Sequence, residues 1–331
     1  MASVRAIVPD IMDHDDLLRP LESALSRYPA SSYELIVGTA EASDFAAKTV
    51  RVATATGDVR TLSYDQLVLA TGSRSPTADV PWKAAGTYEE VKALLAQTAD
   101  KVKAASHIVV AGAGATGVEV AGELGFEYGV KGTKEVVLLC GGDKIMGGDI
   151  AAPAATNELK KLKVDIKYGA KVVDTRPAAG GKTEVVLASG ETVLTDLYLP
   201  TMGLVVNSEY IDSKYLNPGN KTVIVEEKTL QVQGTTDVWA AGDLVSKPRA
   251  GFMITQKQAA GVAKNIEAVL KGGKPGLVKG LPVDILAAAV GRSRGAGRMN
   301  SFRLPSIMVW LAKGKTLAVQ MIPGYIDGSV A

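Results

Sequence analysis

The sequence predicts an α/β fold organised around a parallel strand, a glycine-rich turn and a helix. Three adjacent features predict it. Residues 108–111 form an apolar, β-rich run, three glycines follow at short spacing, and a helical apolar pattern continues through Val118, Val120, Ala121 and Leu124. A strand, turn and helix in this order form a Rossmann-type dinucleotide-binding unit.

The turn has the pattern G-x-G-x-x-G, with Gly112, Gly114 and Gly117 at the three positions. In such a unit the first glycine permits the tight turn and the second lets the backbone approach a pyrophosphate. The third lets the helix pack closely on the strand. The N-terminus of the helix then presents unpaired N–H groups and a positive dipole end to the phosphates. The alternative is a glycine-rich turn in a sheet that binds nothing.

The composition excludes several classes of protein. The 331 residues are 47% hydrophobic and 22% charged, with a net charge of +2, so we expect a globular protein without a nucleic-acid partner. The sequence has no apolar run long enough to span a membrane and no secretory signal pattern. Its single cysteine, Cys140, excludes dithiol chemistry within the chain and favours the cytoplasm. With two distant histidines, His14 and His107, we expect no metal site. The acidic residues beside His14 favour the start of a helix, because carboxylates stabilise the first turn.

Around this unit the pattern alternates between strands and helices. A capping box at Thr87 and Glu90 opens a helix that runs to about Lys103, and a second helix covers 254–270. A weaker helical pattern covers 17–25, and another helix is predicted over 157–163. Strands are predicted over 4–8, 33–39, 49–53, 59–62, 64–73, 135–140, 164–168, 170–175, 183–188, 192–197, 223–225 and 237–240.

The end of the second strand of the unit bears on the choice of nucleotide. NAD-specific sites place an acid there to bind the ribose hydroxyls. Here the strand ends in Cys140, Gly141 and Gly142, with Asp143 a few residues later and Lys144 after it. Because a lysine can instead bind a 2′-phosphate, the sequence leaves NADH and NADPH open.

The C-terminal tail allows two interpretations. Arg292, Arg294 and Arg298 precede the apolar run 305–311, which contains Trp310. Together they are typical either of peripheral contact with a membrane or lipid-like substrate, or of a core element beside a solvated loop.

Three phrases in order resemble the two-dinucleotide-binding flavoproteins. They are Leu69-Ala70-Thr71-Gly72, then Gly112 to Glu119, then Thr235-Thr236-Asp237-Val238-Trp239-Ala240-Ala241-Gly242-Asp243. With the tail from Ala289 to Gly314, the chain is similar to a fungal branch of the ferroptosis-suppressor group, related to apoptosis-inducing factor. The resemblance covers nearly the whole chain.

The resemblance implies a fold, an activity and a set of site residues. Its fold is a discontinuous FAD-type domain over 1–104 and 200–275, an inserted NAD(P)H-type domain over 105–199, and a small α+β part over 276–331. Its activity is hydride transfer from NAD(P)H through FAD to a quinone. Gly112, Gly114 and Gly117 would hold the NAD(P)H pyrophosphate, with Glu119 near the nicotinamide. Thr71, Gly72, Gly242 and Asp243 would adjoin FAD, and Gln256 and Lys257 would face its ring; the catalytic candidates are Glu119 and Lys257.

The chain departs from that family in one respect. The family has a first G-x-G-x-x-G unit for the ADP half of FAD, whereas this sequence holds one such motif, the second. We therefore expect a truncated FAD domain in which ordinary FAD binding is in doubt, and a chain with no cofactor is an alternative.

Two other functions follow from this departure. One is a cofactor-independent cyclase or isomerase, resembling a pericyclase of fungal secondary metabolism, that folds an apolar terpenoid or polyketide in an emptied flavin cleft. The other is a non-catalytic remnant. For Asp243 the alternative to a flavin contact is a helix cap or turn aspartate.

Overall fold

The computed structural model describes residues 2–77, 79–245, 247–327 and 329. The helices are α1 Ser3–Ala6, α2 His14–Leu17, α3 Leu21–Leu25, α4 Tyr88–Ala104, α5 Ala115–Leu124, α6 Ala152–Lys161, α7 Phe252–Leu270, α8 Ser306–Val309 and α9 Ile322–Asp327. The strands are β1 Gly38–Asp44, β2 Thr49–Thr54, β3 Val59–Ser63, β4 Leu67–Leu69, β5 Ser73–Arg74, β6 His107–Ala111, β7 Glu135–Leu139, β8 Val164–Lys167, β9 Val172–Pro177, β10 Thr183–Leu187, β11 Thr192–Thr195, β12 Leu197–Pro200, β13 Val205–Val206, β14 Val238–Ala240, β15 Ile285–Val290, β16 Arg294–Met299 and β17 Phe302–Leu304.

The chain divides into two compact units, each built from separate stretches. The first unit comprises Met1–Ser23, Ser75–Gly203 and Val283–Val330, and the second contains Ala24–Arg74 and Leu204–Pro282. These two units are defined by how the chain packs. The predicted domains are instead defined by their ligands: a FAD-type domain over 1–104 and 200–275, an NAD(P)H-type domain over 105–199, and a small C-terminal part over 276–331. Those boundaries stay a prediction.

A four-stranded parallel sheet in the order β12-β6-β7-β8 forms the centre of the first unit. Successive side chains of β6 point to opposite faces, so Ile108 and Val110 enter one core while Val109 and Ala111 enter another. Both faces of the sheet are therefore buried, which explains why β6 is a continuous apolar run rather than an alternating one.

Different elements cover the two faces of this sheet. On one side the antiparallel sheet β11-β10-β9 contributes Val185, Leu187 and Val193 to the core. On the other side the core contains residues of α1, α5 and α6, represented by Val4, Val118 and Leu159.

A second antiparallel sheet, β15-β16-β17, packs beside α5 in the same unit. A Cβ on Gly122 would lie 2.8 Å from the nitrogen of Gly291, so only glycine permits this approach of helix to strand. A Cβ on Gly295 would lie 2.5 Å from the Cγ1 atom of Val309. The glycine-rich segment of the tail is thus a strand, β16, on which α8 rests.

The second unit contains the antiparallel sheet β1-β2-β3, the pair β13-β5 and the parallel pair β14-β4. Its core surrounds Trp239, which is fully buried and donates from Nε1 to the Oε1 atom of Gln66 at 2.8 Å. The described part of the chain before β1, residues 2–37, forms short helices and no strand.

Most predicted elements are confirmed. The capping box of α4 forms, with Thr87 accepting from the Glu90 backbone and the Glu90 carboxylate accepting in return. Strands β2, β3, β6 to β11 and β14 and helices α5 and α7 lie within a few residues of their predicted ranges. The strand predicted over 64–73 is interrupted, with β4 and β5 at its centre and end, and α6 begins earlier than the predicted 157–163. The weak helical pattern over 17–25 corresponds to α3 and the end of α2. At the start of α2, Asp13 accepts from the Asp15 backbone, as predicted for a helix start.

Three strand predictions are wrong. Residues 4–8, predicted as a strand, overlap α1, whose apolar side chains are buried in a helical turn. The strand predicted over 33–39 begins only at Gly38, because Val37 and its alternating neighbours are exposed and have no core to face. The strand predicted over 223–225 makes only isolated bridges, from Val223 to Leu216 and from Val225 to Val232.

Among the described residues, none of the helices has the length and apolar character that a membrane crossing requires.

We predict that Asp196 stabilises the fold in a pH-dependent way. Its carboxylate accepts from the backbone nitrogens of Ser106 and His107 at 3.0 and 2.9 Å and pairs with Lys182 at 3.0 Å. The Lys182 ammonium and these backbone donors lower the pKa of Asp196 to about 2. Since the folded pKa lies below the ordinary value of 3.8, this stability is present above pH 4 and disappears as the pH falls toward 2.

Urea unfolding of Asp196→Asn should show a loss of about 1 kcal/mol at pH 7, after allowance for solvent screening. The difference from the parent should shrink by pH 2.5. Asp165→Asn, an exposed change of the same charge on β8, is the control. A pH-independent difference between Asp196→Asn and the parent would contradict the assignment.

Candidate functional site

The glycine-rich turn has the geometry that the sequence predicts. Gly112 has a φ of +99°, which side chains other than glycine rarely adopt. A Cβ on Gly117 would lie 1.8 Å from the carbonyl oxygen of Gly112, so the helix touches the turn with no room for a methyl group. Gly114 is the N-cap of α5, and a Cβ there would meet nothing within 4 Å. The space beside Gly114 is therefore open to a ligand.

Two residues outside the motif hold this turn in place. The Thr201 hydroxyl lies 2.9 Å from the carbonyl oxygen of Ala111 and 2.8 Å from that of Gly112. The backbone nitrogen of Met146 donates to the carbonyl oxygen of Ala113 at 2.7 Å. Neither contact is predicted from the sequence. Thr201 directly follows β12, and because neighbouring parallel strands end at the same edge, its position offered a signal.

A cleft of about 580 Å³ adjoins the turn. It is lined by Ala113, Gly114, Cys140, Gly141, Gly142, Asp143, Lys144, Gly147 and Gly148. The lining lies at the carboxyl ends of β6 and β7 and at the N-terminus of α5, where an α/β sheet binds nucleotides. The N-terminus of α5 and the room beside Gly114 fit a pyrophosphate.

The residues that follow β7 differ in their exposure to solvent. Cys140 is buried, whereas Asp143 and Lys144 are both exposed at the cleft. The acid that would end an NAD-specific strand is thus replaced by two glycines, as the sequence indicates.

Glu119, predicted to lie near the nicotinamide, is buried on α5 and contacts the C-terminal part of the first unit. Its Oε1 atom accepts from the backbone nitrogen of Ala289 at 3.0 Å and lies 2.6 Å from the Nζ atom of Lys313. Its predicted role at the nicotinamide stays a prediction. Its observed contacts connect α5 to β15 and to the helical turn Trp310–Gly314.

Glu119 belongs to a row of carboxylates four residues apart, which we call the α5 acidic row: Glu119, Glu123 and Glu127. Glu123 is almost fully buried, and its Oε1 atom accepts from the Nε and Nη2 atoms of Arg5 at 2.9 and 2.7 Å. Arg292 pairs with Glu127 and lies 3.5 Å from the Oε2 atom of Glu123. Burial raises the pKa of Glu123 above its usual value, although Arg5 favours the ionised form.

The residues predicted to adjoin FAD gather in the second unit. Thr71 donates from its hydroxyl to the carbonyl oxygen of Asn207 at 2.7 Å, and Asn207 donates back to the Thr71 carbonyl at 2.8 Å. Gly72 has a φ of +67° and open space around it. Ser73 donates to the Oδ2 atom of Asp243 at 2.6 Å, and Asp243 is buried in a short turn after β14.

The residues at the start of α7, where Gln256 and Lys257 are predicted to face the flavin ring, differ in burial. Gln256 is half-buried and Lys257 is exposed, both in the second turn of the helix. The buried glutamine is instead Gln258, whose Oε1 atom accepts from the backbone nitrogen of Gly242 at 2.8 Å. Gln258 therefore positions the Gly242-Asp243 turn. No feature of the sequence distinguished it from Gln256.

The predicted site residues thus form two groups. Gly112, Gly114, Gly117 and Glu119 lie in the first unit, and Thr71, Gly72, Gly242, Asp243, Gln256 and Lys257 lie in the second. Their assignment to bound cofactors stays a prediction.

The arginines of the tail are mostly engaged in internal ion pairs. Arg292 pairs with the α5 acidic row, and Arg298 contacts Asp149 and Asp284 at 2.6 and 2.7 Å. Within the run 305–311, Val309 is buried, while Ile307, Met308 and Leu311 are more than half exposed. Membrane contact stays a prediction that rests on these apolar side chains, since all three arginines are paired within the chain, with Arg294 Nε 3.6 Å from the Oε2 atom of Glu158.

Comparison with known proteins identifies the family. The model of the pyridine nucleotide-disulphide oxidoreductase family matches residues 5–276, and the chain belongs to that family. It is 35% identical over 332 residues to an oxidoreductase named ptaL from Pestalotiopsis fici, covering the whole chain and 87% of that relative. It is 29% identical over 284 residues to ferroptosis suppressor protein 1 from Xenopus laevis, covering 78% of the chain and 70% of that protein.

Solved structures confirm the fold class. The sulfide:quinone oxidoreductase of Aquifex aeolicus superposes with a TM-score of 0.71 at 16% identity, covering 99% of this chain and 82% of the other. Because the identity is low, this likeness shows the two-dinucleotide-binding flavoprotein fold alone. The predicted resemblance to oxidoreductases related to ferroptosis suppressors is confirmed.

We predict that Gly117→Ala destabilises the protein, because the added methyl group must displace the Gly112 carbonyl. The expected loss is about 1–3 kcal/mol, as for other overpacked sites. Gly114→Ala is the matched control, since its methyl group enters open space at the same turn. Thermal unfolding of both variants tests this, and equal melting temperatures would contradict the close packing.

We also predict that Arg5→Ala is strongly destabilising, since it leaves the buried Oε1 atom of Glu123 without its two N–H donors. The expected loss in urea unfolding is about 3–5 kcal/mol. The double variant Arg5→Met/Glu123→Leu, which removes both charges, should recover much of it. Arg303→Ala, an exposed arginine on β17, is the control. A loss below about 1 kcal/mol for Arg5→Ala would show that the pair does not hold α1 on α5.

Proposed function

We propose that this chain is an NAD(P)H-dependent oxidoreductase that passes electrons to a small apolar acceptor of the quinone type. The observation that supports the proposal most directly is the open cleft at the N-terminus of α5, beside Gly114. A pyridine nucleotide gives up a hydride, and a quinone that accepts it takes one further proton from solvent to become a hydroquinone. Membership of the pyridine nucleotide-disulphide oxidoreductase family supports this class of reaction.

The residues of the first unit have defined tasks in this proposal. The N–H groups at the start of α5 bind the pyrophosphate, and Gly114 leaves room for it. Thr201 fixes the conformation of the turn through its two carbonyl contacts. Catalysis then depends on holding the nicotinamide in one orientation, to which the pre-formed turn contributes.

FAD is the electron relay that the family resemblance implies, and it supplies two-electron chemistry when bound. The residues that fit it are those for the flavin half: Gly72, with open space at positive φ, and the buried carboxylate of Asp243. The described residues 2–37 do not form a strand followed by a glycine-rich turn, which is the unit that would hold the ADP half of FAD. The fit of these residues to FAD is therefore partial.

The first test is the absorbance spectrum of the purified chain, before and after heat release of bound cofactor. The proposal with FAD predicts about one flavin per chain and quinone-dependent oxidation of NADH or NADPH. Asp243→Ala should reduce the bound flavin. Gly114→Val should keep the flavin but weaken nucleotide binding at least about tenfold, since its side chain occupies the pyrophosphate space.

Gly219→Val is the control for Gly114→Val, because it too adds a side chain into open space at an ordinary φ. A colourless protein that leaves NAD(P)H unoxidised but binds an apolar ligand would contradict the oxidoreductase proposal. That result would favour the cofactor-independent cyclase or isomerase. A colourless protein that copurifies only with a partner would favour a non-catalytic remnant.

A further inference from the structure

We propose that the cleft prefers a dinucleotide with a phosphate on its adenosine ribose, that is NADPH over NADH, and that Lys144 recognises that phosphate. This inference rests on the proposed function, because it assumes that a pyridine nucleotide occupies the cleft beside Gly114. It goes further in naming the nucleotide and the residue that selects it.

The end of β7 lacks the group that an unphosphorylated ribose requires. NAD-selective sites place a carboxylate there to accept from the ribose hydroxyls. In this chain β7 ends at Leu139, and the next residues are the buried Cys140 and two glycines. A Cβ on Gly142 would meet nothing within 4 Å, so there is room where the acid would otherwise stand. A phosphate can occupy that room.

Lys144 provides a positive charge in the cleft lining. It is exposed, and its Cδ atom lies 3.5 Å from the position that a Cβ on Gly148 would take. The backbone beside it is held firmly, since Ile145 is fully buried and Met146 donates to the Ala113 carbonyl at 2.7 Å. The ammonium group is thus carried on a segment anchored to the glycine-rich turn itself.

A second lysine stands next to the same end of β7. The Cβ atom of Lys171 lies 3.5 Å from the position that a Cβ on Gly141 would take. Its segment is bound to the cleft lining by two hydrogen bonds, from Ala170 to the Cys140 carbonyl and from Gly169 to the Gly142 carbonyl, each 2.9 Å.

The charges around this end of the cleft therefore favour an anion. Among the residues that line the cleft, the charge of Lys144 balances that of Asp143, and Lys171 adds a positive charge just outside the lining. An excess of positive charge beside two glycines attracts a dianionic phosphate more than a pair of neutral hydroxyls.

The test measures binding rather than turnover, by isothermal titration of the purified chain with 2′-phospho-ADP-ribose and with ADP-ribose. The phosphorylated ligand should bind at least about tenfold more tightly. Lys144→Ala should lower its affinity by about tenfold and leave that of ADP-ribose unchanged. Lys171→Ala should have a smaller effect of the same kind. Lys160→Ala, an exposed lysine on α6, is the control, and it should change neither affinity.

The variant Asp143→Asn distinguishes recognition of a phosphate by Lys144 from recognition of the ribose hydroxyls by Asp143. If Lys144 recognises a phosphate, removing the neighbouring negative charge should raise affinity for 2′-phospho-ADP-ribose. A tenfold loss of ADP-ribose affinity instead would mean that Asp143 binds the ribose hydroxyls, which overturns the inference. Equal affinities of the parent for both ligands would also overturn it and leave the proposed function intact. Failure of both ligands to bind would overturn the proposed function as well.

Discussion

The α5 acidic row is the arrangement on which the first unit depends. Glu119 and Glu123 are buried carboxylates on the helix that follows the glycine-rich turn, and Glu127 lies one turn further. An ionised carboxylate removed from water costs several kcal/mol unless a cation and hydrogen bonds compensate for it. Those cations come from distant parts of the chain: Lys313, Arg5 and Arg292. The N-terminal and C-terminal segments are therefore bound to the same helix.

This arrangement links the stability of the unit to the shape of its cleft. Arg5 also donates to the carbonyl oxygens of Gly314 and Lys315, so one guanidinium connects α1, α5 and the tail. These contacts hold α5, whose N-terminus meets the turn at Gly112. At Gly117 the helix packs so closely on that turn that there is no room for a methyl group. The backbone that forms the cleft is consequently held by contacts within the protein itself. Such preorganisation is what nucleotide binding at a helix N-terminus requires.

The two groups of predicted site residues differ in how fully the fold provides for a ligand. Around Gly114 there is an open cleft, a helix N-terminus and two charged residues in the lining, Asp143 and Lys144. In the second unit, Asp243 is buried and bonded to Ser73, and Gln258 and Asn207 position the neighbouring turns. The nucleotide assignment therefore rests on local geometry, whereas the flavin assignment rests mainly on the family resemblance.

Local patterns in the sequence determined the elements whose stability is local. Three features were predicted from neighbouring residues alone, and the structure has each of them where predicted: the capping box at Thr87, the apolar run of β6 and the three glycines of the turn. The fold class followed from the same patterns. The predicted strand over 4–8 failed because an apolar run of that length fits either a strand or a buried helical turn, and only packing against α5 selects between them.

Only the tertiary structure decided which distant residues meet. Thr201 and Gln258 hold the turns at Gly112 and Gly242 from positions 89 and 16 residues away. The place of Thr201 at a strand end was a signal in the sequence, whereas no local pattern marks Gln258. Likewise, the basic residues Arg292 and Arg298 look like a surface patch in the sequence but neutralise carboxylates within the first unit. A sequence fixes periodicity and turn chemistry because these depend on near neighbours. Charge pairing and buried hydrogen bonds depend on where the folded chain brings its remote segments together.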